Sequence, residues 1–194
     1  MNPAGGSFTD EILALRAKGG NKDAFNALTV KYHAAIVNFV NRNINDYTRA
    51  EELAQEVFVR CYRNIGRFDP QYKFRTWLYT IAVNYCKNEI RDAGKRPKSV
   101  DSLDTIAAGS GTGGELPVTR LMAEEFQEQI ALAMAALPEE QRLAIIMSFY
   151  DGINYKEIAG IMDATENTVK SWVFRGKQAL FEKLKHYMGT DENI

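Results

Sequence analysis

Residues 154–184 read NYKEIAGIMDATENTVKSWVFRGKQALFEKL. The spacing predicts two short helices joined by a tight turn. Tyr155 to Met162 forms the first, with Ile158, Ala159 and Met162 inward. Asp163-Ala164 supply the turn, and Thr165 N-caps the second helix by accepting an orphan backbone N–H. Val169, Val173, Gly176 and Leu180 recur at helical spacing and face the first helix. Asn167, Lys170, Ser171, Phe174 and Gln178 take the opposite face, with Arg175 and Lys177 beside them. A helix carrying amide and cationic donors on one stripe can enter a DNA major groove. The plainer alternative is a solvated face on a helical hairpin. Turn, cap and polar stripe coincide here, and that coincidence favours DNA.

The chain has 194 residues, suited to one large domain or two small ones. A hydrophobic fraction of 45% is enough to build real cores, so the chain is not of the disordered class. The net charge of −1 says little as a total; where the charge sits matters more. Cys61 and Cys86 lie inside apolar helical patterns without CxxC spacing, and read as buried thiols rather than a metal site or disulfide. No metal or other cofactor is expected. Neither a secretory signal nor a membrane-spanning run is visible, so a soluble, cytoplasmic protein without direct membrane insertion is expected. No GxGxxG, P-loop, HExxH or Ser-His-Asp-like set occurs. The chain is therefore expected to have no catalytic residues, no small-molecule substrate and no enzymatic role.

Upstream the pattern is helical throughout. Phe8 to Lys18 forms a short helix with Ile12 and Leu15 inward, ended by Gly19-Gly20. Asn21 caps a second helix carrying a stripe of Phe25, Leu28, Tyr32, Ile36 and Val40. Asp46 or Thr48 starts a third, with Leu53, Val57, Cys61 and Ile65 on one side. Glu52, Gln55 and Glu56 lie on other faces, where simple solvation explains them. Gly66 to Tyr72 is a loop. Its Phe68 is either tucked into a core edge, which the pattern favours, or a stacking wall for a base.

The fourth helix starts near Lys73. Leu78, Ile81, Ala82 and Tyr85 make its apolar side, while Asn84, Lys87, Asn88 and Arg91 share one face after Arg75, Trp77 and Tyr79. From Asn84 to Lys98, five cations against Glu89 and Asp92 leave a local charge of +3. Cations interleaved with aromatics suit nucleic acid, and a core helix with a soluble basic end accounts for them equally well. Residues 99–118 contain GSGTGG and read as a flexible linker. The expected layout is all-α. It comprises a tail and short helix (1–22) that belong to a first, four-helix domain continuing over 23–98, the linker, a helix-turn-helix domain (119–188) and a polar tail (189–194). In the second domain Met122, Phe126, Ile130 and Met134 step every four residues, and Pro138 suits the first helical position before Glu139-Glu140.

Four blocks in this order resemble bacterial extracytoplasmic-function sigma factors, a branch of the sigma-70 family. They are ELAQEVFVRCYRNIGRFDP, FRTWLYTIAVNYCKNEIRD, LPEEQRLAIIMSFYDGINYKEIAGIM and ENTVKSWVFRGK. The resemblance runs from about Asp23 to Leu184 and keeps only sigma regions two and four. It implies a factor that binds core RNA polymerase and directs promoter-specific initiation. Glu52, Gln55 and Glu56 would dock the polymerase clamp helices. Phe68, Arg75, Trp77, Asn84, Lys87, Asn88 and Arg91 would read and melt the minus-ten element, with the Phe68 loop receiving a flipped base. Thr165, Asn167, Lys170, Ser171, Phe174, Arg175 and Lys177 would meet the minus-thirty-five element. The resemblance also implies an anti-sigma factor as partner, through which the protein could be held at the membrane. Trp172 stands where the family often has arginine, and Gly176 where it has alanine, so an exposed Trp172 ring would be free to pack on a partner. The rivals are a ligand-responsive dimeric helix-turn-helix regulator and an all-helical adaptor without a DNA role.

Overall fold

The computed structural model describes residues 9–93 and 117–187. Among these residues there are eight α-helices and no strand. Lys95, Arg96, Lys98, nearly all of the expected linker and the two tails fall outside them.

The first body comprises α1 (Asp10–Lys18), α2 (Lys22–Ile44), α3 (Tyr47–Asn64) and α4 (Phe74–Ala93). Its helix starts follow from side-chain caps. Thr9, Asn21 and Asp46 each accept a backbone N–H three residues on, at 3.4, 2.9 and 2.9 Å. Asn45 ends α2 in the left-handed region at φ 54°, which an asparagine tolerates. The core holds Leu28, Ile36, Phe39, Leu53, Val57, Phe74 and Leu78, all at most 2% exposed. Burial of this kind stabilises by about 1.5–3 kcal/mol per large side chain.

Helix α1 departs from the expectation. Ile12 and Leu15 are exposed, whereas Ala14 and Ala17 are buried. Small alanines let α1 lie close on its neighbours. Asp10 fixes its orientation by accepting from Lys31 at 2.6 Å and from the Tyr32 hydroxyl at 2.6 Å.

The second body comprises α5 (Pro117–Ala135), α6 (Glu139–Ile145), α7 (Tyr155–Met162) and α8 (Glu166–Leu184). A π-helical turn at Ile146–Tyr150 prolongs α6. Pro138 occupies the N-cap of α6 with ψ 143°, one place before the expected position. Buried Arg142 donates to the Ala135 carbonyl at 3.0 Å and so ties α6 to the end of α5. Cys61 and Cys86 are buried free thiols, and burial pushes each up to about 12.

Candidate nucleic-acid and polymerase interfaces

The α7–turn–α8 unit forms as the sequence implies. Asn154 caps α7, accepting from the Glu157 N–H at 2.9 Å. Asp163 turns the chain at φ 52°, and Thr165 caps α8 by accepting from the Thr168 N–H at 3.1 Å. Val169, Val173 and Gly176 face inward. Gly176 permits a close approach, because a Cβ built there would lie 2.5 Å from Ile145 Cδ1. Trp172 is partly buried against the core, so it does not present the free ring considered above.

The outer face of α8 exposes Thr165, Asn167, Lys170, Ser171, Phe174, Arg175 and Lys177. Several of these already have partners. Lys170 pairs with Glu166 at 2.8 Å, and this pairing holds the Glu166 carboxyl below its ordinary range. Ser171 donates to the Asn167 carbonyl at 3.0 Å, and the Lys177 ammonium sits 5.3 Å from the Phe149 ring centroid.

An open cleft between α3 and α4 gathers Trp77, Asn84 and Asn88 from α4. Arg60 and Asn64 from α3, and Arg67 from the 3₁₀ turn after it, complete the cleft. The sequence reading missed these three; their spacing of four and three residues on one face was the available signal. Arg91 donates to Asn88 Oδ1 at 3.0 Å, whereas Lys87 is half-buried and off the cleft.

Phe68 and Arg75 also lie off the cleft. Phe68 is 1% exposed, with its ring centroid 5.8 Å from that of Phe74 and 5.5 Å from that of Trp77. It is a pillar under Trp77, not an exposed stacking surface. The exposed part of its loop is residues 69–73, with Tyr72 67% exposed. Arg75 leaves the cleft to pair with Glu157 of α7 at 3.2 Å.

Glu52, Gln55 and Glu56 are exposed on α3, beside Val59 and Arg63. Arg49 organises this face. It contacts Glu89 at 2.8 Å, Glu52 at 2.9 Å and Glu56 at 3.7 Å, so α3 is tied to α4. The hydrogen bonds that Arg49 donates to Glu89 and Glu52 raise its pKa above the ordinary value.

The two bodies touch through α4 and α7. Glu157 accepts from both Lys73 and Arg75. Burial pushes its carboxyl up, but the hydrogen bonds and charges of Lys73 and Arg75 outweigh that and hold it below the ordinary glutamate range. Asp151 faces Tyr79 across this contact, and Arg42 lies 4.5 Å from the Tyr150 ring centroid. Burial raises Asp151 to about 6, against the pull of Arg42, Tyr79 and Arg75. Its Oδ2 is buried with no hydrogen-bond partner among the described residues.

Two family matches cover these bodies: Sigma-70 region 2 over residues 28–96 and Sigma-70 region 4 over residues 127–180. The chain is 36% identical over 184 residues to the ECF RNA polymerase sigma-E factor of Escherichia coli (strain K12), covering 92% of this chain and 95% of that one. The chain belongs to the ECF sigma factors of the sigma-70 family. This sigma factor is also 32% identical over 181 residues to the RNA polymerase sigma-H factor of Pseudomonas aeruginosa, covering 91% and 94% of the two chains.

Its fold is similar to that of CnrH, solved in complex with the cytosolic domain of CnrY, with a TM-score of 0.68 at 21% identity over 94% and 99% of the chains. It is likewise similar to RpoE from Bartonella quintana, solved with the anti-sigma factor NepR, with a TM-score of 0.66 at 24% identity over 87% and 98%. This sigma factor binds core RNA polymerase and directs promoter-specific initiation; region 2 recognises and melts the minus-ten element and region 4 binds the minus-thirty-five element. The region 2 match fills the half of the chain that a ligand-sensing dimeric regulator would need for its sensor. Among the described residues no helix is long and apolar enough to cross a membrane.

Proposed function

We propose that the α3–α4 cleft receives the unpaired minus-ten strand. Trp77 offers a ring for stacking, Asn84 and Asn88 offer hydrogen bonds to base edges, and Arg60, Arg67 and Arg91 neutralise phosphates. Lys87 and Arg75 serve phosphates flanking the cleft, and Arg75 does so only after Glu157 releases it. The exposed residues 69–73, standing on the buried Phe68, receive the flipped base. Glu52, Gln55 and Glu56, with Val59 beside them, form the polymerase-docking face. On α8, Asn167, Lys170, Ser171 and Arg175 meet the minus-thirty-five major groove; Thr165, Phe174 and Lys177 border that contact.

The observation that carries this reading is the convergence of Trp77, Asn84 and Asn88 on one open cleft with arginines along its other wall. Residues 23–98 and 119–188 act as the two DNA-binding domains, joined by 99–118. Each alone grips few base pairs. The tether raises the effective concentration of the second contact once polymerase sets the spacing. The factor does no chemistry of its own, works in the cytoplasm and is restrained by an anti-sigma factor. The sigma–anti-sigma pairs among proteins of similar fold support that last expectation.

The test is transcription with core polymerase on promoters varied one base at a time. Asn84→Ala is expected to relax selectivity at one minus-ten position by about 1–3 kcal/mol and leave minus-thirty-five selectivity intact. Equal weakening on every promoter would refute base reading by the cleft.

A further inference from the structure

Helix α1 lies outside the region 2 match, which begins at residue 28, yet it grips both ends of the loop between α3 and α4. Lys18 Nζ donates to the Phe68 carbonyl at 3.0 Å. At the other end, the Glu11 carboxylate accepts the Phe74 backbone N–H at 3.2 Å. Phe74 is the first residue of α4, so its N–H has no partner inside the helix. Glu11 satisfies that donor from another helix and places negative charge at the positive end of the α4 dipole.

Helix α1 is in turn anchored to α2. Asp10 accepts from Lys31 at 2.6 and 2.8 Å and from the Tyr32 hydroxyl at 2.6 Å. The Tyr32 ring lies 5.8 Å from that of Phe74, which closes a circuit from α1 through α2 to the start of α4. Between the two grips, residues 69–73 are exposed. Their own turn rests on Asp69, whose Oδ1 accepts from the Gln71 N–H at 3.0 Å and whose carbonyl accepts from the Tyr72 N–H at 3.1 Å. Neither Lys18 nor Glu11 lines the α3–α4 cleft.

We propose that Lys18 and Glu11 are positioning residues for promoter melting, fixing both ends of the 68–74 segment so that its tip meets the flipped base in one place. This inference rests on the reading above that the loop receives that base. A site for a single base must be held to within about 0.5 Å, and loops hold such geometry less well than helices do. Two long-range hydrogen bonds from one helix give this loop the rigidity of the helical body behind it. Each involves a charged side chain, the stronger class of hydrogen bond.

The test uses the full chain with core polymerase and a promoter carrying 2-aminopurine at the flipped minus-ten position, whose fluorescence reports unstacking. Lys18→Met and Glu11→Leu are expected to bind core normally and to keep the wild-type salt dependence of promoter binding. Each should slow the fluorescence rise roughly tenfold, about what losing one charge-assisted hydrogen bond gives. Lys18→Arg and Glu11→Gln retain a donor and an acceptor and should restore most of the rate. The double variant should fall short of the product of the two singles, because both grips hold the same loop.

Replacing residues 69–72 with glycine separates the possible failures. If that variant is slow while Lys18→Met and Glu11→Leu unstack the base at the wild-type rate, the clasp is refuted and the loop reading stands. If the glycine variant also unstacks at the wild-type rate, the loop reading itself falls. A lowered salt slope for Lys18→Met would make Lys18 a direct phosphate contact and overturn the positioning role.

Discussion

Replacing Glu157 with Gln keeps the side-chain volume and removes the charge that joins the two bodies. In the closed arrangement Glu157 is 12% exposed, Arg75 33% and Lys73 64%. The Arg75 pair is partly shielded and contributes about 1 kcal/mol after allowance for solvent screening. The Lys73 pair is largely exposed and adds at most about 0.5 kcal/mol. Losing both shifts the closed–open equilibrium by about 1–1.5 kcal/mol, a factor of roughly 5–12. Arg75 is thereby released toward DNA.

Single-molecule energy transfer between dyes on introduced cysteines at the exposed Asn26 and Ala136 would report the separation of the bodies. The native Cys61 and Cys86 are buried and should not compete for label. Glu157→Gln is expected to enlarge the low-transfer population by that factor. Adding Lys73→Met to Glu157→Gln should change little further. An unchanged distribution in Glu157→Gln, at both low and moderate salt, would refute the argument that this carboxylate holds the bodies together.

Three further outcomes follow from the same geometry. Asp151, raised to about 6 by burial, favours its protonated form in the closed arrangement. Its contribution is therefore complete below the ordinary aspartate range and is lost as pH rises through about 6; energy transfer should fall between pH 4.5 and 6.5 and level off above, and Asp151→Asn should flatten that change. Glu157 has the opposite sign and loses its contribution only below the ordinary glutamate range, outside that window. Lys170→Ala should lower the salt slope of minus-thirty-five binding by about one, and Glu166→Gln, by freeing Lys170 from its 2.8 Å partner, should tighten binding; unchanged filter-binding isotherms for both would argue against a phosphate contact. Phe68→Ala should cost about 3–5 kcal/mol of stability in a denaturant titration, because the ring is a buried pillar; a normal transition midpoint with slow melting would restore the stacking role.

Local signals carried most of the fold. Asn21, Asp46 and Thr165 act as caps because their short side chains reach a backbone N–H three residues on, a relation contained within four residues of sequence. The stripes of α2 and α8 were legible for the same reason. The span of α1 was legible too, but its inward face was not, because alanine carries little pattern and its partners Tyr32 and Phe74 are 22 and more residues away. Phe68 had no periodic neighbour, and only the tertiary structure puts it between Phe74 and Trp77.

At the candidate site, Asn84 and Asn88 were readable from helical spacing. Arg60, Asn64 and Arg67 were not, because α4 forms the opposite wall of their cleft and only the packing of the two helices brings them to Trp77. Arg75 and Glu157 are 82 residues apart, and no pattern within either helix announces their pairing.

Two helical bodies, each with one DNA-facing side, are proposed to act together once polymerase spaces them. Mapping transcript 5′ ends from a randomised promoter library, with core polymerase and this sigma factor, tests it most directly. Starts are expected downstream of two motifs at one fixed spacing, with the upstream motif lost in Lys170→Ala and the downstream motif altered in Asn84→Ala. Starts that match those of core polymerase alone, or motifs whose spacing varies freely, would contradict it.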